Sequence, residues 1–237
     1  MNLSQNSTET HRPLSGKSVV SDEHGLPLLV YRGEHGVSSG FIHTRLPSIS
    51  FGSCEAANFY PLEPNNRHDQ ADASRVIPAY LRIENPVFVN DDDPFIDISL
   101  LVKILGLAKA EHIARKLAED IEYTGNWMED SGKQFESVAQ LLDTAPHRIN
   151  DLYLNAYRVF DDPECIAWLK EAGFDGAIHL GNGATATEAE YRVFDASQIL
   201  PAIGVTSAML LGAMPLADPD QDEEDQDDDY PASAPGC

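Results

Sequence analysis

Hydrophobic residues change period twice along this chain, and that change limits the folds open to it. Near the start, "LPLLVYRG" (26–33) is a short apolar run closed by glycine, and "LPSISFGS" (46–53) alternates; both patterns belong to strands. From about 94 to 172 the spacing becomes i, i+3, i+4, as in "ISLLVKILGLAKAEHIARKLAEDIEY", "QFESVAQLLDTA" and "RINDLYLNAYRVF", which predicts a helical block. Period two returns in "FDGAIHLGN" and "ATATEAEYRVFDASQI" (184–199). Strands, then helices, then strands predict an α+β fold whose final strands rejoin the first sheet.

Local punctuation refines this outline. Ser53 is placed to cap a helix over "CEAANFY", which Pro61 and Pro64 end. "VIPAYLRIENPVFVN" (76–90) reads as a strand broken at Asn85-Pro86, followed by a second short strand. "NNRHDQADASR" (65–75) is a polar loop. In "DPECIAWLKEAG", Asp162-Pro163 opens a helix and Gly173 closes it.

Composition bounds the partners. The 237 residues carry a net charge of −23, and nine acids fall between Asp218 and Asp229, leaving the rest near −14. A field of that sign disfavours a nucleic-acid backbone. Residues 1–18 read as a disordered leader, 19–216 as one folded domain and 217–237 as a disordered acidic tail. The leader is polar and lacks the apolar core of a Sec signal, which suits a cytoplasmic protein or one delivered into a host cell by another route. Cys54, Cys165 and Cys237 form no CxxC pair and no zinc spacing, and the histidines show no HExxH pattern, so no metal is expected. "ILPAIGVTSAMLLGAMPLA" (199–217) is uncharged, but its prolines, Gly204, Thr206 and Ser207 dilute it too far for a membrane span.

The second alternating stretch poses the chemical question. In a strand, Glu188, Glu190 and Arg192 share one face, with the two carboxylates about 7 Å apart. Two like charges that close are either a solvated face or a working pair.

"VYRG", "SISFGSCEAANFY", "VIPAYLRIENP", "GFDGAIH" and "EAEYRVFDASQI" occur in that order. The series resembles the ADP-ribosyltransferase family, in particular the domains of phage polyvalent proteins and bacterial effectors. The resemblance spans about residues 19–201 and implies a split, bent β-sheet core with a helical insertion and NAD, the co-substrate, in the cleft. Carried over by position, it implies that Arg32 binds the cofactor's ribose and phosphate side and that Gly33 lets the backbone approach the nicotinamide amide. It further implies that Ser50 orients the catalytic carboxylate, that Tyr60 stacks on nicotinamide, and that Glu190 is the catalytic residue. Glu188 completes a Glu-x-Glu arrangement that marks arginine-modifying members. The family's Ser-Thr-Ser signature reads Ser50-Phe51-Gly52 here, a departure from the pattern.

The chemistry asks for such residue types. Breaking the nicotinamide–ribose bond builds an oxocarbenium-like cation, which a carboxylate stabilises while it holds the sugar. A second carboxylate can hold or deprotonate a guanidinium acceptor. A protein side chain, arginine first, is the expected acceptor. An NAD glycohydrolase and a decayed transferase fold that only binds a partner are the alternatives.

Overall fold

The computed structural model describes residues 18–34, 46–60, 75–89, 93–182 and 187–202. Nearly all of the predicted leader, residues 65–74 of the predicted loop, residues 183–186, most of the apolar 199–217 stretch and the acidic tail lie outside them, while Arg75, the last residue of that loop reading, opens a strand instead.

Two small sheets carry the fold, which is α+β. The first is antiparallel, with β1 (Val30–Glu34), β3 (Arg75–Leu81) and β9 (Ile199–Pro201) in the order β1-β3-β9. The second holds β2 (Ile49–Phe51), β8 (Thr187–Val193), β7 (Gly176–Asn182) and β4 (Pro86–Phe88) in the order β2-β8-β7-β4. Only the β4–β7 pair is parallel. β4 is an edge strand, so Pro86 at its start removes no hydrogen bond from the interior of the sheet. The final strands thus return to both sheets rather than to one. Between the sheets, Tyr31 and Gly52 exchange two backbone hydrogen bonds of 2.9 Å.

The first strand is shorter than its apolar run. β1 begins at Val30, while Leu26 and Leu29 stay 39% and 37% exposed. Ser53 caps α1 (Cys54–Phe59) as predicted, its hydroxyl accepting from the Ala56 amide. The break at Asn85-Pro86 also stands where predicted, between β3 and β4.

The block over 94–172 departs from the sequence reading in two places. The long periodic run is three helices, α2 (Ile98–Leu105), α3 (Leu107–Lys116) and α4 (Ala118–Glu122). Gly106 divides the first two with φ at 86°, a conformation that a Cβ opposes. "RINDLYLNAYRVF" is not one helix either. It divides into a 3₁₀ turn (Pro146–Asp151), β6 (Tyr153–Asn155) and α7 (Ala156–Phe160). β6 pairs with β5 (Phe95–Asp97), setting Ile96 against Leu154, both fully buried. Burying such side chains contributes about 1.5–3 kcal/mol each, more than a weak helical preference can oppose.

Two cores follow. A large one gathers Leu101, Ile113, Leu141, Phe160 and Leu169 from the helices with Val87 and Ala177 of the second sheet. Here α6 (Val138–Thr144), which follows the short α5 turn (Gly132–Gln134), completes the helical wall with Val138, Leu141 and Leu142, and α8 (Pro163–Glu171) starts at its Asp162 cap. A smaller core joins Val30, Ala79 and Leu81 of the first sheet to Ile49, Phe51 and Val193 of the second. No helix among the described residues is long and apolar enough to cross a membrane.

Candidate functional site

The alternation of β8 sorts its side chains. Val193 enters the small core with Tyr191 packed beside it, so Glu188, Glu190 and Arg192 take the opposite face. That face lines a cleft of about 550 Å³. β1 contributes Arg32 and Gly33, β2 Ser50, the end of α1 Tyr60, α7 Tyr157, and the residue after it Asp161. All six residues singled out from the sequence (Arg32, Gly33, Ser50, Tyr60, Glu188 and Glu190) therefore line one cavity, although 158 positions separate the first from the last.

The two glutamates have different company. Glu190 is held on both oxygens: Tyr157 donates its hydroxyl to Oε2 at 2.6 Å, and Arg192 donates Nε to Oε1 at 2.9 Å. The His179 Nε2 atom stands 3.7 Å from Oε1. Glu188 accepts from Ser53 Oγ at 2.9 Å, and no ion pair among the described residues reaches it. Ser53 thus serves twice, capping α1 through its lone pair and binding Glu188 through its proton.

Arg192 is the buried centre of this network, its side chain only 3% exposed. Besides Glu190 it pairs with Asp161, donates to Ser48 Oγ at 3.0 Å, and lies 4.8 Å from the centroid of the Tyr157 ring. Burial works against its charge, but Glu190 and Asp161 outweigh that and raise its pKa above the ordinary arginine value. His179 is sandwiched between Tyr157 and Phe160. Its burial lowers the imidazole pKa below the usual value, against the opposing field of Glu190.

Gly181 makes room for this arrangement. A Cβ there would sit 2.6 Å from Glu190 Oε2, 2.9 Å from Glu190 Cβ and 3.1 Å from the Tyr157 hydroxyl.

On the opposite wall, Arg32 gives Nε to Glu34 at 3.0 Å and Nη1 to the Ser50 carbonyl at 3.1 Å. Its Nη2 makes no hydrogen bond among the described residues. Glu34, 5% exposed, is also paired with Arg75, which the β1–β3 register sets directly opposite. The Ser50 hydroxyl meets Arg32 Nη1 at 3.5 Å and makes no hydrogen bond to Glu190. Tyr60 stands at the end of α1, half exposed on the rim.

Sequence reading missed Glu34, Ser48, Tyr157, Asp161, His179 and Arg192 as parts of the site. A signal existed for three of them. Glu34, Ser48 and Arg192 each stand two residues from a residue singled out in the same extended stretch, hence on its face. Among the described residues, no group of three or more His, Cys, Asp or Glu is arranged to hold a metal ion.

Comparison with models of known protein families, with curated protein sequences and with solved structures gives no match for this chain.

Proposed function

We propose that this chain is an NAD-dependent mono-ADP-ribosyltransferase of the Arg-Ser-Glu type that modifies a protein side chain, arginine in first place. In this reading the two sheets bridged at Tyr31 and Gly52 are the halves of the split core, and residues 94–172 are the helical insertion. The observation that carries it is convergence: Arg32, Gly33, Ser50, Tyr60, Glu188 and Glu190 come from separate stretches of chain and line one cavity of a size suited to a small ligand.

The reaction follows from the roles of the carboxylates. The bond between the nicotinamide nitrogen and C1′ of the ribose breaks, and its electron pair leaves with nicotinamide. Glu190 faces the cationic sugar and its hydroxyls, and supplies the negative charge that the transition state lacks. A nitrogen of the acceptor guanidinium forms the new bond to C1′ and gives up its proton to Glu188. A carboxylate in the cleft with a hydroxyl partner and, among the described residues, no cation suits a cationic acceptor.

The test scores nicotinamide release and protein labelling separately, using biotin-NAD in lysate. Glu190→Gln should abolish both. Glu188→Gln should stop labelling while nicotinamide release persists. Free ADP-ribose without labelled protein from the wild type would instead identify an NAD glycohydrolase. No turnover at all would leave a binding module.

A further inference from the structure

The wall of the cleft formed by α7 belongs to the helical block, yet it touches the carboxylate at the centre of the site. Asn155 caps α7 by accepting from the Tyr157 amide at 2.9 Å, which fixes where the Tyr157 backbone begins. The ring is then held edge-on to His179, with centroids 5.2 Å apart, and the Arg192 guanidinium lies over it. A tyrosine restrained at its backbone and along its ring has little freedom left in where its hydroxyl points. That hydroxyl is 2.6 Å from Glu190 Oε2 and, facing a carboxylate, it donates.

We propose that Tyr157 is the positioning residue of Glu190, carrying out the orienting task that the family resemblance assigns to Ser50. The inference rests on the transferase reading of the cleft. A carboxylate that must meet a ribose hydroxyl needs a fixed plane and a lone pair left over. Tyr157 on Oε2 and Arg192 on Oε1 take one acceptor position each, fixing the plane and leaving the others to the cleft. The support is two layers deep, because Ser48 and Asp161 hold Arg192 in turn. Gly181 leaves the space in which the Tyr157–Glu190 bond forms. Ser50 has no such access, since its hydroxyl is turned to Arg32. The helical block would therefore be part of the catalytic apparatus and not only a surface that selects the acceptor.

Tyr157→Phe keeps the ring against His179 and Arg192 and deletes only the hydroxyl. Its kcat for nicotinamide release should fall roughly ten- to hundredfold, the worth of one hydrogen bond to a charged group, with KM for NAD changed by less than about twofold. Ser50→Ala should cost clearly less in kcat than Tyr157→Phe does. Thermal melting of both variants reports folding independently of activity. Wild-type kcat in Tyr157→Phe, with turnover lost in Glu190→Gln, would overturn the positioning role while leaving the transferase reading intact. A loss in Ser50→Ala as deep as in Tyr157→Phe would return the orienting task to Ser50 and also overturn it. Absence of turnover in the wild type would instead remove the transferase reading, and with it any catalytic meaning for Tyr157.

Discussion

Gly181→Ala adds one methyl group at the tightest point of the site. The new carbon would lie 2.6 Å from Glu190 Oε2, whereas ordinary contact begins near 3.4 Å, so the oxygen must retreat by about 0.8 Å. The carboxylate cannot do that at no cost. Oε2 is held 2.6 Å from the Tyr157 hydroxyl, which itself would be 3.1 Å from the methyl. The added carbon would also press on Glu190 Cβ at 2.9 Å, and that atom moves only with the strand. Overpacking of this kind costs about 1–3 kcal/mol of stability. On the transferase reading Glu190 is a reacting group, and a misplacement approaching 1 Å there costs on the order of a hundredfold in rate. The variant should therefore melt a few degrees lower and lose far more activity than that stability change explains. Differential scanning calorimetry and chromatographic measurement of nicotinamide release, run well below the melting point, separate the two effects. A variant that melts and turns over like the wild type would refute the packing account of Gly181.

Three further outcomes follow from groups around the same fold. Burial, with help from Asp162, pushes the Cys165 thiol up to about 12, so roughly one part in ten thousand is thiolate at pH 8; iodoacetamide should leave it unlabelled in the native protein and label it after unfolding, as read by peptide mass spectrometry. His179 is neutralised by burial, so its folded pKa lies below its unfolded value and the unfolded chain takes the proton first as pH falls. Stability should thus be full above about pH 6.5 and decline below it, and the slope of melting temperature between pH 5 and 7 should flatten in His179→Phe. On the transferase reading, Arg32→Ala should weaken NAD binding by about 1.5–3 kcal/mol in calorimetric titration, and Arg32→Lys should recover only part, because one ammonium cannot serve Glu34, the Ser50 carbonyl and a ligand together; wild-type affinity in the alanine variant would remove Arg32 from the proposed NAD site.

What could be read in the sequence was local. The cap at Ser53, the stop at Gly173 and the single face shared by Glu188, Glu190 and Arg192 each depend on a few neighbouring residues, and each is present in the structure. What escaped depends on partners far along the chain. Tyr157 sat inside a run that reads as helix, and only the pairing of β6 with β5, 58 positions away at Ile96 and Leu154, sets α7 where its tyrosine meets Glu190. The place of Arg192 on the glutamate face was legible, but its role was not. Its partners Asp161 and Ser48 stand 31 and 144 positions away. Six cleft residues could be named from motif order, whereas the contacts that give Glu190 and Glu188 different surroundings could not.

The pairing of β2 with β8 has a consequence for synthesis. Phe51 finds its strand partner at Tyr191, about 140 residues later. At about 5–20 residues per second, β2 leaves the ribosome roughly 7–28 s before the strand it pairs with. β1 waits a much shorter time, since β3 begins at Arg75. During that interval a nascent chain can build the helical core, but it has neither carboxylate and no wall for the cleft on that side. A chain interrupted anywhere before residue 187 is therefore not a weakened version of the protein. It has an apolar strand without the partner it takes in the folded chain and lacks both cleft carboxylates, so the cleft is complete only once β8 has been made.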